Sequence, residues 1–316
     1  MAEKVVGRGT DDAGRVAALF ADVRDRHPRS LRGIEEARQV DPARFDEVAA
    51  RFLKWLAAAR GEEGLAPTVD AFARFSSDVV LAQARYEATG RYAHDSFQTA
   101  HETVYSRRDV MDDYLWGVYL TNFLWAHHFE IMRFYEDRFL ARLPADAAVV
   151  EIAPGHGGWG VWAMHVRPDA SLRGFDISPS SIAIASRIAD AAGVGARVDY
   201  EQRNALDLDT MDADVADAVI CSFLVEHLET PERLFAVIGK ILRPGGRAFV
   251  TGALTAAQVD HIYEFRRESE LVVLCEAHGM RVDGMLCGAP RRTLPKAKFL
   301  PRSLALVAEG RRGEIW

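Results

Sequence analysis

A glycine-rich turn and two acidic residues have the spacing in this sequence that points most directly to ligand chemistry. The turn Gly155–Gly160 contains four glycines and directly follows the apolar run Ala148–Pro154. Closely spaced glycines let backbone N–H groups approach a ligand, and the helix that begins after such a turn directs its positive end at that ligand. Asp176 ends a second predicted strand, Ser171–Asp176, about 20 residues after the turn, where nucleotide-binding folds hold a ribose. The sequence therefore predicts a nucleotide-type cofactor site.

The glycine spacing alone leaves the identity of the cofactor open. Gly155–Gly160 also fits the G-x-G-x-x-G pattern of nicotinamide-dependent oxidoreductases. Glu151 lies four residues before Gly155, within the predicted strand. This acid-x-x-x-Gly-x-Gly arrangement resembles motif I of the class I S-adenosylmethionine-dependent methyltransferases, in which the acid helps to hold the methionine end of the cofactor. Members of that family often carry glycine at the position of Ala153.

Three later segments resemble the same family, in the same order along the chain. Asn204-Ala205 resembles the adenine-contacting segment, where an acid is usual at position 204. Glu226-His227 follows the predicted fourth strand and resembles the frequent Glu-His pair of motif IV. Leu242–Gly246 resembles the Leu-x-Pro-Gly-Gly segment that precedes the fifth strand. The resemblance covers about residues 145–310 and implies an α/β fold with a Rossmann-like, seven-stranded methyltransferase sheet.

The resemblance implies S-adenosylmethionine as the cofactor and assigns residues to its site. The expected cofactor-binding residues are Glu151, Ala153, Gly155, Gly157, Asp176, Ile177, Asn204, Ala205 and Ser222. His227 is the candidate general base, because it should lie just beyond the carboxyl end of the fourth strand and imidazole titrates near neutral pH. Glu226 is the second candidate and His261 a weaker third. The alternative for His227 is a residue that packs beside the cofactor and transfers no proton.

The first part of the chain has the hydrophobic periodicity of helices throughout. Asp41-Pro42 has the residue types of an N-cap and a first helical position, and Gly61 and Gly90 are typical helix ends. We expect an N-terminal all-helical cap domain over residues 1–142 and the methyltransferase domain over 143–316. The other predicted elements are long helices over 109–140 and 256–278, strands over 148–152, 171–176, 197–202, 216–223 and 247–251, and two final strands over 281–287 and 304–308.

Residues of the predicted cap are expected to shape the site of the methyl acceptor. The candidates are Tyr105, Tyr119, His127 and His128. For any one of them, a surface or core side chain without contact to the acceptor is the commoner situation. Three prolines and several cations lie within 288–302. That segment either flanks the acceptor site or forms a surface loop.

Composition narrows the class of protein and of partner. The chain has 316 residues, 49% of them hydrophobic, and a net charge of −7, which disfavours a nucleic-acid partner. Cys221, Cys275 and Cys287 have neither metal-ligand spacing nor a disulfide framework. We therefore expect buried, reduced thiols, no metal, no membrane association, a cytoplasmic location and a possible homodimer. The predicted function is transfer of a methyl group from S-adenosylmethionine to a small-molecule acceptor, in the biosynthesis of a specialised metabolite. The alternatives are a protein or RNA methyltransferase, a nicotinamide-dependent oxidoreductase and a non-catalytic cofactor-binding protein.

Overall fold

Helices form the N-terminal part of the chain, and helices alternate with strands in the C-terminal part. The computed structural model describes residues 12–96, 98, 108–293 and 295–311. The helices are α1 Asp12–Arg26, α2 Pro28–Val40, α3 Pro42–Arg60, α4 Leu65–Thr89, α5 Arg108–Leu124, α6 Ala126–Phe134, α7 Gly158–Val166, α8 Pro179–Ala191, α9 Pro231–Ile241 and α10 Glu268–Ala277. The strands are β1 Ala148–Ile152, β2 Ser171–Asp176, β3 Val198–Gln202, β4 Ala216–Cys221, β5 Leu242–Leu254, β6 Met280–Gly288 and β7 Arg302–Gly310.

The strands form one seven-stranded sheet in the order β3-β2-β1-β4-β5-β7-β6. The first five strands along the chain pair in parallel, whereas β7 pairs antiparallel with both β5 and β6. Strand order reverses direction between β1 and β4, and ligands of open α/β sheets bind at such a point, beyond the carboxyl ends of the strands. The predicted α/β fold with a Rossmann-like seven-stranded sheet is confirmed, together with a helical N-terminal region.

One hydrophobic cluster joins the N-terminal helices to the sheet. Phe52 of α3 packs on Trp162 of α7 with ring centroids 5.5 Å apart, and Tyr135 packs on Phe249 of β5 at 4.6 Å. All four side chains belong to the same buried cluster. Burial of aromatic side chains contributes strongly to stability, so the helices are held on the sheet by a shared core. The division of the chain at residue 142 stays a prediction.

The predicted long helix over residues 109–140 is wrong as a single element. It breaks at Trp125, whose backbone is extended with φ −96° and ψ 122°, and it ends in a π-helical turn over Tyr135–Phe139. The Trp125 ring stacks on Phe75 of α4 at 5.5 Å. The new helix, α6, lies against the end of β6, where a Cβ on Gly288 would stand 2.9 Å from the Cβ of His127. Tertiary packing therefore overrides the local preference for a continuous helix.

The predicted helix over residues 256–278 is also wrong in its first half. Only Glu268–Ala277 is helical, and the preceding segment is tied to the residues after β4. Ile262 N and Tyr263 N both donate hydrogen bonds to the Glu226 carbonyl oxygen, at 2.8 and 3.0 Å. This segment buries the polar side chains of Asp260 and His261. Their partners lie far away in the sequence, so the local pattern could not reveal them.

Two further expectations concern thiols and membranes. Cys221 and Cys275 are buried as predicted, but Cys287 is exposed, so the prediction of burial is wrong there. Cys287 belongs to β6, which is an edge strand with one partner, β7. Within the described residues, no helix combines the length and apolar character needed to cross a bilayer.

Candidate functional site

A cavity of about 650 Å³ lies between the carboxyl ends of the parallel strands and the helices α4, α5 and α6. Three parts of the chain line it: the sheet edge, the helices, and the segment between β6 and β7. Predicted site residues that line it are Ala153, Gly155, Asp176, Ile177, Asn204, Ala205, Ser222, Glu226, His227, His127 and His128. The structure thus brings most of the candidates from distant parts of the sequence to one place.

Asp176 at the end of β2 anchors the glycine turn. Its Oδ2 accepts a hydrogen bond from Gly155 N at 3.0 Å, and its Oδ1 accepts one from Ser178 N at 2.8 Å. Burial raises the pKa of this carboxyl to about 6, against the lowering effect of the two N–H groups. Each oxygen keeps a lone pair, so the side chain can still accept hydrogen bonds from the hydroxyl groups of a ribose.

Glu151 and Gly157 support the turn from behind, and neither lines the cavity. Glu151 is 1% exposed, and its Oε1 accepts a hydrogen bond from Gly160 N at 2.9 Å. Burial raises the pKa of this carboxyl to about 8. Gly157 has φ +75°, and a Cβ there would stand 2.8 Å from the Cβ of Ala185. In the structure both residues support the turn, and their direct contact with the cofactor stays a prediction.

His156, inside the glycine turn, is a site residue that the sequence analysis missed. Its Nδ1 accepts a hydrogen bond from Gly158 N at 2.9 Å, and its Nε2 lies 3.3 Å from Nδ2 of Asn122 in α5. Burial lowers the pKa of His156 to about 4, which keeps the imidazole neutral and able to accept at Nδ1. A histidine among closely spaced glycines was the available signal. It links the turn to the helical side of the cavity.

Three non-glycine residues with positive φ follow three strands at this edge of the sheet. Ala153 follows β1 with φ 54°, Phe223 lies just after β4 with φ 53°, and Thr255 follows β5 with φ 46°. Such conformations cost energy and concentrate at functional sites. Hydrogen bonds hold each one, including Ala153 N to Phe175 O and Phe223 N to Thr251 Oγ1, both at 2.8 Å. The conformation of Ala153 also explains why glycine would suit that position.

Asn204 and Ser222 offer polar groups to the part of the cavity assigned to adenosine. The Oδ1 of Asn204 accepts a hydrogen bond from Leu206 N at 2.9 Å, which orients the amide and leaves its Nδ2 hydrogens to donate. The Oγ of Ser222 is buried and has no hydrogen-bond partner among the described residues. A buried hydroxyl without a partner is costly, and both residues line the cavity. A polar ligand would satisfy these groups.

Glu226, His227 and His261 form a buried cluster at the same edge. One ligating atom from each lies within 4.8 Å of the others. His227 Nδ1 is 3.1 Å from the carbonyl oxygen of Asp260, and His261 Nδ1 is 2.7 Å from that of Ala256. Burial lowers the pKa of His261 to about 3 and raises that of Glu226. The structure thus places His261, the third candidate for the general base, beside Glu226 and His227.

The part of the cavity wall formed around α6 is aromatic and neutral, whereas Arg29 and Glu36 of α2 line the cavity elsewhere. Trp125 stacks on His127 with ring centroids 5.6 Å apart, and His128 stacks on Phe223 at 4.9 Å. Burial lowers the pKa of His127 to about 3 and that of His128 far below its usual value. Neutral, stacked rings form a wall suited to an apolar or flat ligand.

Of the other two acceptor-site candidates, Tyr119 does not reach this wall. Tyr119 is fully buried, does not line the cavity, and donates a hydrogen bond to the Phe52 carbonyl oxygen at 2.9 Å. It therefore packs the helices together, and its assignment to the acceptor site is corrected. Tyr105 lies outside the described residues.

The segment between β6 and β7 crosses the cavity and is fastened to the helices. Arg291 pairs with Glu130 of α6 at 2.5 Å, and Arg292 pairs with Glu36 of α2 at 2.7 Å. Glu87 of α4 accepts hydrogen bonds from the backbone N–H groups of 298 and 299, both at 2.8 Å. Of the two alternatives, a flank of the cavity or a plain surface loop, the structure shows the flank.

The similarity of this chain to a known protein family lies in the portion that forms the sheet. Residues 149–246 match the family model described as a methyltransferase domain. A ubiquinone biosynthesis O-methyltransferase from Xanthomonas axonopodis pv. citri is 31% identical over 112 residues, which are 35% of this chain and 45% of that protein. The protein of the same description from Ralstonia nicotianae is 30% identical over 162 residues, which are 51% of this chain and 60% of its own length. The chain thus spans less than two thirds of the length of each of these relatives.

Solved structures share the fold at low sequence identity. An O-methyltransferase family protein from Burkholderia thailandensis superposes with a TM-score of 0.53 and 16% identity, over 81% of this chain and 74% of that one. A structure described as a sarcosine dimethylglycine methyltransferase from Galdieria sulphuraria has a TM-score of 0.50 and 9% identity, over 59% and 86% of the two chains. Both likenesses concern the fold alone.

Proposed function

We propose that this chain, whose residues 149–246 match a methyltransferase domain, is a class I S-adenosylmethionine-dependent methyltransferase. Its acceptor would be a small, largely apolar molecule bound between the sheet edge and the helices. One observation carries the proposal. A single cavity of about 650 Å³ is lined on one side by the predicted cofactor residues and on the other by the aromatic wall of α5 and α6. That volume falls in the range of small-molecule sites.

The residues at the sheet edge fit S-adenosylmethionine. Asp176 would accept hydrogen bonds from the ribose hydroxyls, Asn204 would contact the adenine, and Ser222 has a buried hydroxyl that needs a partner. The start of α7 would face the polar methionine end, while the N–H groups of Gly155 and Gly158 stay bonded to Asp176 and His156 and hold the turn in place. When bound, this cofactor supplies an electrophilic methyl group. The protein's contribution is to hold the acceptor close to it and to exclude water.

The acceptor atom we favour is a hydroxyl oxygen. Several curated relatives are named as O-methyltransferases of ubiquinone biosynthesis, and a hydroxyl must lose its proton when it is methylated. His227 lines the cavity, and its Nδ1 donates a hydrogen bond to the Asp260 carbonyl oxygen. This bond leaves the other ring nitrogen, Nε2, as the proton acceptor. His227 is therefore the proposed base, with Glu226 beside it.

A macromolecular acceptor is less well supported. The net charge of −7 disfavours RNA, and Arg291 and Arg292 beside the cavity are already paired with glutamates. A protein or RNA acceptor would have to place a single side chain or nucleotide beneath the segment between β6 and β7. The aromatic, uncharged wall instead favours an uncharged small molecule.

Calorimetric titration and a transfer assay test the proposal. The purified chain should bind S-adenosylmethionine and S-adenosylhomocysteine but not NAD. With radiolabelled methyl donor, it should label members of a panel of apolar phenols and alcohols more efficiently than tRNA or a mixed protein substrate. Binding of NAD in place of the two sulfur cofactors would contradict the proposal. Cofactor binding without transfer to any acceptor would indicate a non-catalytic binding protein.

A further inference from the structure

We propose that Glu226, His227 and His261 form a binding site for a first-row divalent cation of the Zn²⁺ type. The sequence analysis expected no metal, because the cysteines have no metal-ligand spacing. The structure instead brings two histidines and a carboxylate together from segments 34 positions apart. The existence of the site stands on the geometry alone, whereas its role in catalysis rests on the function proposed above.

The distances within the cluster suit coordination better than hydrogen bonding. His261 Nε2 and Glu226 Oε1 are 3.9 Å apart, which is too long for a hydrogen bond. Two ligands that each stand about 2.0–2.2 Å from one cation lie roughly 3–4 Å apart. The three ligating atoms all lie within 4.8 Å of one another. Only small side-chain movements are needed for all three to reach a shared ion.

Both imidazoles are oriented as metal ligands usually are. Each Nδ1 faces a backbone carbonyl oxygen, that of Asp260 for His227 and that of Ala256 for His261. A carbonyl oxygen can only accept, so each neutral ring carries its proton on Nδ1 and has its lone pair on Nε2. Metal-ligating histidines almost always use their second nitrogen in this way, which fixes the tautomer and the ring orientation.

The surroundings of the Glu226 carboxylate give a second, independent indication that a ligand binds here. It is 1% exposed and lines the cavity, yet both carboxylate oxygens lack a hydrogen-bond partner among the described residues. Burial raises the pKa of this carboxyl, and the backbone N–H groups of Glu226 and Ala253 lower it only in part. Coordination to a cation is one of the few ways to compensate the remaining cost of burying a carboxylate. Ile262 N and Tyr263 N donate hydrogen bonds to the carbonyl oxygen of the same residue, which fixes its backbone beside His261.

The donor set selects the class of cation. Two imidazole nitrogens and one carboxylate suit Zn²⁺ and neighbouring transition ions, and this combination with an open position is found in catalytic zinc sites. Mg²⁺ and Ca²⁺ prefer all-oxygen ligands. Behind the cluster, the Asp260 carboxylate lies 3.6 Å from His227 Nδ1 and also interacts with the hydroxyl of Tyr114. These groups would complete the second layer of the site.

Such a cation would hold the acceptor by its oxygen atom. The cluster borders the cavity that we assign to the methyl acceptor, and the three protein ligands leave a coordination position open. A hydroxyl bound there would have a lowered pKa and would release its proton to water. The cation would then replace His227 as the means of activation, and His227 would act as a ligand.

Titration of the full chain, stripped of metal with a chelator, tests this inference. Co²⁺ serves as the spectroscopic probe and Zn²⁺ as its competitor. We expect one equivalent of Co²⁺ to bind with the visible absorption of a nitrogen- and oxygen-ligated ion, Zn²⁺ to displace it, and a similar concentration of Mg²⁺ to leave it bound. Failure of the chain to bind Co²⁺ at micromolar concentrations, or displacement by Mg²⁺ as readily as by Zn²⁺, would overturn the assignment.

Two variants and a control locate the ion. Glu226→Gln and His261→Ala should each weaken Co²⁺ binding by at least about tenfold, whereas His278→Ala, which changes a histidine outside the cluster, should have no effect. Thermal unfolding and affinity for S-adenosylhomocysteine verify that each variant is folded. If one equivalent binds with the same affinity in both cluster variants, the ion lies elsewhere and the inference is wrong.

The two proposals can fail separately. Binding of S-adenosylhomocysteine and methyl transfer without any cation binding would remove the metal site and leave the methyltransferase function. Tight Co²⁺ binding that both cluster variants abolish, in a chain that binds no sulfur cofactor, would support the site and contradict the function.

Discussion

The two sides of the cavity are built by different kinds of contact. On the sheet side, short hydrogen bonds between side chains and backbone N–H groups position the turn: Asp176 with Gly155, Glu151 with Gly160, and His156 with Gly158. On the helical side, stacked aromatic rings position the cavity wall, and Trp125 lies between Phe75 and His127. Polar contacts demand particular geometry, whereas apolar packing tolerates exchange of residues with similar volume.

This difference fits the separate roles that we propose for the two sides of the cavity, binding of the cofactor and selection of the acceptor. A side of the site that holds one unchanging cofactor is suited to directional hydrogen bonds made by closely spaced residues. A side that selects the acceptor can be altered by exchanging side chains on α5, α6 and the segment between β6 and β7. Substitutions on the sheet side should therefore change cofactor affinity, and those on the helical side should change acceptor kinetics.

The largest expected effect is on turnover, at the junction of the two sides. His227→Ala should lower kcat by at least about 100-fold, while affinity for S-adenosylhomocysteine stays within about threefold. A transfer assay and calorimetry measure the two quantities. The same result is expected whether His227 acts as the base or as a metal ligand. Full activity of this variant would leave His227 only a packing role.

On the sheet side, Asp176→Ala should weaken binding of S-adenosylhomocysteine by about 10- to 100-fold, because a charged acceptor of hydrogen bonds is lost. Asp217→Ala is the matched control. Asp217 also accepts a backbone hydrogen bond, from Ala148 N at 2.9 Å, but at the opposite end of β1. Calorimetry should show little change for the control. Equal affinity of the Asp176 variant and the unaltered chain would remove the ribose assignment.

Cofactor affinity should depend on pH through the same carboxyl group. Burial raises the pKa of Asp176 to about 6, and a ribose hydroxyl donates best to the ionised form. Affinity should therefore fall by up to about tenfold per pH unit below 6 and level off above about 7. The other titratable groups of the turn, His156 with a pKa of about 4 and Glu151 with one of about 8, lie outside this window. A profile that is unaltered in Asp176→Ala would assign the dependence to another group.

On the helical side, Trp125→Phe should raise the KM of the best acceptor by about two- to tenfold and leave cofactor affinity unchanged, since stacking contributes roughly 0.5–1.5 kcal/mol. Trp116→Phe makes the same chemical change in α5 at a buried position that does not line the cavity. Steady-state kinetics on both variants separate the site from general packing. An equal rise of KM in the two variants would count against the aromatic wall.

The smallest expected effect concerns the strained residue after β1. Ala153→Gly should increase the free energy of unfolding by up to about 1 kcal/mol, because φ 54° is unfavourable for alanine and freely available to glycine. Urea denaturation measures it. Ala163→Gly, within α7, should instead destabilise the protein. A loss of stability in Ala153→Gly would show that the left-handed backbone carries no strain there.

Local sequence patterns were sufficient for much of the sheet side. The strands β1 to β5, the glycine turn and the acid at the end of β2 each occupy a short, continuous stretch whose residue types determine its conformation. The N-cap of α3 is of the same kind, since the Asp41 side chain accepts from Arg44 N within one turn. Such interactions join residues a few positions apart, so they can be inferred without knowing the rest of the fold.

The remaining features depend on contacts between distant segments. The helical periodicity is interrupted at Trp125, whose ring packs on Phe75, and Gly288 gives room for His127 in the helix that follows. Asp260 and His261 leave a predicted helix because the Glu226 carbonyl oxygen binds the adjacent backbone. Arg291 and Arg292 find partners more than 160 residues earlier in the chain. By itself, the sequence determined the elements of the cofactor side, because each of them is a short, continuous stretch with characteristic residue types. The acceptor side and the Glu226–His227–His261 cluster were decided by tertiary packing, which joins side chains without regard to their separation along the chain.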